Sequence, residues 1–83
     1  MGDWIKQQMK ASGFTYDKLH AASGLARGSL IAWANGQHIP MLATYLILCE
    51  CFAKAQNRGL TEMIVSGIHT MPEYQYAVRR GHK

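Results

Sequence analysis

The chain has 83 residues, an apolar fraction of 48% and only 8 glycines and 2 prolines, which fits one folded domain around a single core and excludes a disordered tail. Its densest apolar run, residues 41–52, is about half the roughly 20 residues needed to cross a bilayer, and the N-terminus has no apolar stretch of the signal-peptide kind. The formal net charge of +4 favours an anionic partner, although residues 11–52 are neutral, with Lys18 and Arg27 against Asp17 and Glu50. The excess sits at the ends, on Lys6 and Lys10 and then on Lys54, Arg58, Arg79, Arg80 and Lys83.

In chain order, Asp3 is the expected N-cap of a first helix reaching Ala11 or Ser12, with Ile5, Gln8 and Met9 along one side and Gly13 as its stop. Lys6 stands where a myristoylation motif needs Ser or Thr, so Met1-Gly2 is not read as one. Phe14 leads in, and Thr15 caps a second helix over residues 16–23 that is predicted to bury Leu19 and Ala22. Gly24 supplies the turn, because a left-handed backbone costs little only at glycine. Leu25 packs inward, and a third helix over residues 26–34 carries the apolar seam Leu30, Trp33 and Ala34. Arg27, Gly28, Ile31 and Ala32 fall toward its other face, which makes Ile31 an expected exposed isoleucine.

Asn35-Gly36 stops that helix, and Pro40 suits the entry to a fourth over residues 41–54, burying Leu42, Tyr45, Leu48, Cys49 and Phe52. Cys49 and Cys51 point apart on a helix and cannot bridge, so the expectation is two buried, reduced thiols in a cytoplasmic protein. Residues 56–59 turn, and a fifth helix over residues 61–69 is predicted to face Ile64, Val65 and Ile68 inward. Beyond it, Tyr74, Tyr76 and Val78 alternate as in a strand, while Thr70 with Glu73 forms a capping box and Gly81 follows two arginines. A short sixth helix over residues 71–80 is the preferred reading of the two.

No grouping of side chains points to catalysis. His20, His38, His69 and His82 are scattered without ligand spacing, and Ser29 with a histidine lacks any supporting pattern, so no enzyme, metal or cofactor is expected.

Several positions together resemble the Cro/C1-type (xenobiotic-response-element-like) helix-turn-helix domains of phage repressors and small bacterial regulators. They are Gly13-Phe14-Thr15, Leu19, Gly24-Leu25, Leu30, Trp33, Asn35-Gly36 with Pro40, and Leu48, Cys49 and Phe52, spanning residues 5–52. The resemblance implies an all-α, lambda-repressor-like bundle of five to six helices in a single domain, with a core over residues 1–56 and the helix-turn-helix at 15–36. It also implies a homodimer on a near-palindromic double-stranded DNA operator, with the third helix in the major groove. Carried over position by position, Arg27, Gly28, Ser29, Ile31 and Ala32 stand where base edges are read. Tyr16, Lys18 and Asn35 stand near the phosphates.

Residues 57–83 are left for dimerisation, with Ile68, Tyr74, Tyr76 and Val78 as anchors. The pattern also departs from the family. Met9 and Ala34 occupy positions where many members pair an arginine with a glutamate, and His20 replaces a preferred alanine and is expected to crowd the turn. The apolar helix face around Ile31 keeps open a second reading, a protein-binding antirepressor or adaptor that captures a larger phage or host regulator.

Overall fold

Glycines and one asparagine in the left-handed region divide the chain into its helices. The computed structural model describes residues 1–71, and these form five α-helices with no strand among them: α1 (Gly2–Ser12), α2 (Tyr16–Ser23), α3 (Arg27–Ala34), α4 (Leu42–Gln56) and α5 (Leu60–Ile68). The described residues form an all-α bundle. None of these helices is long and apolar enough to cross a membrane. The predicted sixth helix, apart from its first residue Met71, lies outside the described residues.

Both ends of the α2–α3 unit are fixed by local chemistry. Thr15 accepts the backbone N–H of Lys18 at 3.2 Å, which satisfies one of the first-turn donors a helix leaves unpaired. At the other end α3 closes in a Schellman arrangement. Gly36 takes φ 76°, its N–H bonds Trp33 O, and the N–H of Gln37 reaches back to Ala32 O at 2.9 Å. Asn57, at φ 54°, closes α4 by the same device.

The core is built from Trp4, Ile5 and Met9 of α1, Leu19 of α2, Leu30 and Ala34 of α3, Tyr45, Leu48, Cys49, Phe52 and Ala53 of α4, Met63 of α5, and Met71. Met9 and Ala34 both lie inside it, so apolar packing occupies both positions. Trp4 is the hub. Its ring lies 5.3 Å from that of Tyr45 and 5.7 Å, edge-on, from that of Phe52, while its indole N–H donates to Ser66 Oγ at 3.0 Å. Three further bonds bind the layers: Tyr45 Oη donates to Ile64 O, and Gln56 Nε2 donates to Gln8 Oε1 and Ser12 Oγ.

Several expectations are corrected. Met1, not Asp3, occupies the cap position of α1, and Asp3 falls in the first turn, where its charge still complements the helix dipole. Ala22 is exposed, because the inward stripe of α2 runs from Leu19 to half-buried Ser23, four residues on. Leu42 remains 43% exposed at the first residue of α4, although it lies on the apolar stripe. Val65 is 62% exposed, because α5 is turned to set Met63 and Gly67 against the core, and two residues on from Met63 a helix has rotated about 200°. Trp33 is half-buried, packed on the core rather than within it. Cys49 is buried as expected, but Cys51 is only half-buried.

Candidate nucleic-acid interface

The α2–α3 turn is only three residues long, and polar groups hold it from both sides. Ser23 Oγ donates to Leu19 O at 2.7 Å and accepts the N–H of Leu25 at 3.1 Å, while Gly24 takes φ 76°. His20, expected to crowd this turn, is exposed, and its Nδ1 lies 2.6 Å from Leu25 O. A carbonyl can only accept, so the Nδ1 of His20 carries the proton and ties the end of α2 to the turn.

The turn delivers Arg27 as the first residue of α3. Ala26 occupies the cap position and offers no side-chain oxygen to the first-turn N–H groups. Arg27 Nε donates to Asp17 Oδ1 at 2.6 Å, in an ion pair whose side chains are 54% and 79% exposed. Beside it, Gly28 has no structural need to be glycine: its φ is not positive, and a Cβ there meets nothing within 4 Å. The helix surface next to Arg27 is therefore bare backbone open to solvent.

The remaining predicted positions divide. Lys18 and Asn35 are exposed, and Ser29 is half-buried. Ile31 and Ala32 are half-buried, which corrects the expectation of an exposed isoleucine and leaves them shallow edge groups. Asn35 immediately precedes the left-handed Gly36, so its backbone is committed to ending α3. Tyr16 is half-buried against the core and lines an open groove of ≈ 400 Å³ with Lys6, Met9, Lys10, Phe14 and Thr15. Folding thus carries two lysines of the N-terminal helix to the start of α2. Sequence reasoning assigned them only to a charged chain end, and the missed signal was their i, i+4 spacing, which puts both on one face of α1.

Of the predicted dimer anchors, Ile68 is half-buried against the chain's own core. Tyr74, Tyr76 and Val78 lie outside the described residues. A second surface was missed in the sequence. Past the end of α3, Ile39 (52% exposed) and Met41 (74%) lead into the exposed Leu42, Leu46 and Ile47. The outer face of α4 divides along its length, with Ala43, Leu46 and Ile47 in its first half and Glu50 and Lys54 in its second, all exposed. The apolar surface that Ile31 was expected to provide is found here instead.

Burial sets the titration of the inner thiol and phenol. Desolvation pushes the Cys49 thiol up to about 11, opposed in part by its hydrogen bond with Tyr45. Burial, with the neighbouring Cys49, also holds the phenolic proton of Tyr45 well above its ordinary range. Cys51 is raised as well, by desolvation first and then by Glu50. Among the described residues no group of three or more His, Cys, Asp or Glu side chains is placed to hold a metal ion.

In comparisons with known proteins, the chain matches no family model, no curated protein and no solved structure.

Proposed function

We propose that this chain is a sequence-specific DNA-binding transcriptional regulator that reads the major groove with α3, as a cytoplasmic homodimer on a near-palindromic operator. The observation that carries the reading is the tip of α3, where Arg27 and bare Gly28 stand exposed at an uncapped helix N-terminus held by a rigid turn. A guanidinium there can offer paired donors to guanine O6 and N7, and an uncapped N-terminus attracts anionic groups. Lys18 and the groove lined by Lys6, Lys10 and Tyr16 suit the flanking phosphates.

The test is duplex binding measured across salt, using a pool randomised over about 20 base pairs, the span of two half-sites one helical turn apart. Three phosphate-directed lysines per subunit predict a slope of log K against log salt of about −2.7 per subunit. Arg27→Ala is expected to cost roughly 1–3 kcal/mol of discrimination at one base pair and to leave the slope nearly unchanged. Binding that selects no sequence from the pool refutes the reading.

A second reading is favoured by the ridge of Ile39, Met41, Leu42, Leu46 and Ile47, which carries no charge and covers more apolar side chains than isolated exposed residues would. It is the antirepressor or adaptor that captures another regulator. Met41→Gln, which adds no charge, separates the two, weakening capture of a partner repressor on this reading and leaving sequence selection intact on the first.

A further inference from the structure

The one guanidinium on α3 is not free. Arg27 opens α3 and Asp17 is the second residue of α2, and the Nε–Oδ1 distance between them is 2.6 Å. Both side chains face water, and an exposed pair of this kind adds little to the stability of a fold. Its geometry does more than its energy. With Nε committed to Asp17, the outer edge of the guanidinium, Nη1 with Nη2, is left as a pair of parallel donors pointing away from that carboxylate.

We propose that Asp17 is the specificity-determining partner of Arg27, a positioning residue that pre-orients the guanidinium so that its Nη1/Nη2 edge reads a single guanine. The proposal rests on the DNA-binding reading above. An arginine held in place before binding loses less side-chain freedom on meeting the base, and the gain falls only on the sequence that offers the matching acceptors. The same carboxylate repels phosphates whatever the sequence. Asp17 therefore weakens binding to every duplex and sharpens the choice among them.

Two substitutions separate these effects. Asp17→Asn removes the charge but keeps an Oδ1 that can accept from Nε, whereas Asp17→Ala removes both. A role as a favourable acid in the first turn of α2 is lost equally in the two variants. The probes are the duplex that the wild-type chain selects from the randomised pool and a scrambled duplex of the same composition. Both variants should bind the scrambled duplex more tightly than wild type. The ratio of selected to scrambled affinity should stay within about twofold of wild type in Asp17→Asn and fall roughly three- to tenfold in Asp17→Ala.

The free protein gives an independent readout. The Nε–H proton of Arg27 should be protected from exchange and visible in an ¹⁵N–¹H spectrum of wild type and Asp17→Asn, and lost in Asp17→Ala. Equal ratios in the two variants overturn the positioning role and leave Asp17 a plain electrostatic brake. Wild-type discrimination with no protected Nε–H overturns the positioning role alone. A protected Nε–H in a chain that selects no duplex overturns the DNA-binding reading, and with it the specificity role.

Discussion

Gly67 sits inside α5 at the point where that helix meets Trp4, and its replacement by alanine should be destabilising against the usual trend. An added Cβ would lie 2.5 Å from Trp4 Cε2, 2.7 Å from Cδ2 and 2.8 Å from Cζ2. Carbon atoms rest about 3.5–4.0 Å apart, so the ring must retreat by roughly 1 Å. It has little room to do so, being held by the bond to Ser66 Oγ and by the rings of Tyr45 and Phe52. Overpacking of this kind costs about 1–3 kcal/mol, and losing the indole hydrogen bond adds about 0.5–1.5. Alanine's better helix propensity returns about 1 kcal/mol. The balance is a loss of roughly 0.5–3.5 kcal/mol, or about 4–8 °C in Tm per kcal/mol for a domain of this size.

Chemical denaturation and calorimetry on wild type, Gly67→Ala and Trp4→Leu/Gly67→Ala, with Trp4→Leu as the reference for the last, measure this directly. In the Trp4→Leu background the added methyl should be neutral or stabilising, so the double-mutant cycle should report coupling above about 1 kcal/mol. Gly28→Ala is the internal control, since its Cβ meets open space and only the propensity gain of at most about 1 kcal/mol remains. A Gly67→Ala protein as stable as wild type refutes the packing argument. So does an equal penalty in the two backgrounds.

Other consequences of the core are measurable in the same assays. Tyr45→Phe leaves the Ile64 carbonyl without its phenolic donor and should cost about 1–3 kcal/mol in denaturant unfolding, with the helical circular-dichroism signal retained. Thr15→Ala removes the cap of α2 and should cost about 1 kcal/mol in the same experiment. Because burial raises the Cys49 thiol from 9.0 to about 11, its contribution is complete below pH 9 and disappears as pH rises through 11. Thermal melts across that window should fall more steeply for wild type, by up to roughly 1.4 kcal/mol per pH unit, than for Cys49→Ala; parallel curves contradict it.

The parts of the fold legible in the sequence are those set by local chemistry. Thr15, Gly24 and Gly36 act within a few residues of themselves, so α2, its turn and α3 could be placed almost to the residue. Contacts between distant segments were not legible. Trp4 meets Ser66 from 62 positions away, and no periodicity in α1 distinguishes it from a surface tryptophan. The face of α5 followed from that same contact: once Gly67 lies under the indole, Val65 must turn outward. The dense run at residues 41–52 misled differently. A helix buries one stripe, so a segment apolar on both sides must expose the surplus, and Leu46 and Ile47 are that surplus.

The candidate site has the same division, and it bears on how a nearly neutral helix-turn-helix unit could work. Arg27 and Asp17 are ten residues apart, and only the angle set by the turn brings them into contact, so the sequence presented an arginine and the fold presents an ion pair. At distances beyond a Debye length of about 8–10 Å that pair is close to a neutral group. Long-range attraction to a polyanion then falls to other cations, among them Lys18 and the Lys6 and Lys10 that α1 carries to the start of α2. Discrimination must come from Arg27 at contact range. On the DNA-binding reading the two properties reside in different side chains and can be changed separately: lysine substitutions should flatten the salt dependence equally for all sequences, and changes at Arg27 or Asp17 should alter the ratio between them. The ridge from Ile39 to Ile47 carries no charge, so a neutral polar substitution there, Met41→Gln, leaves the electrostatic terms unchanged and reports on apolar contact with another protein chain.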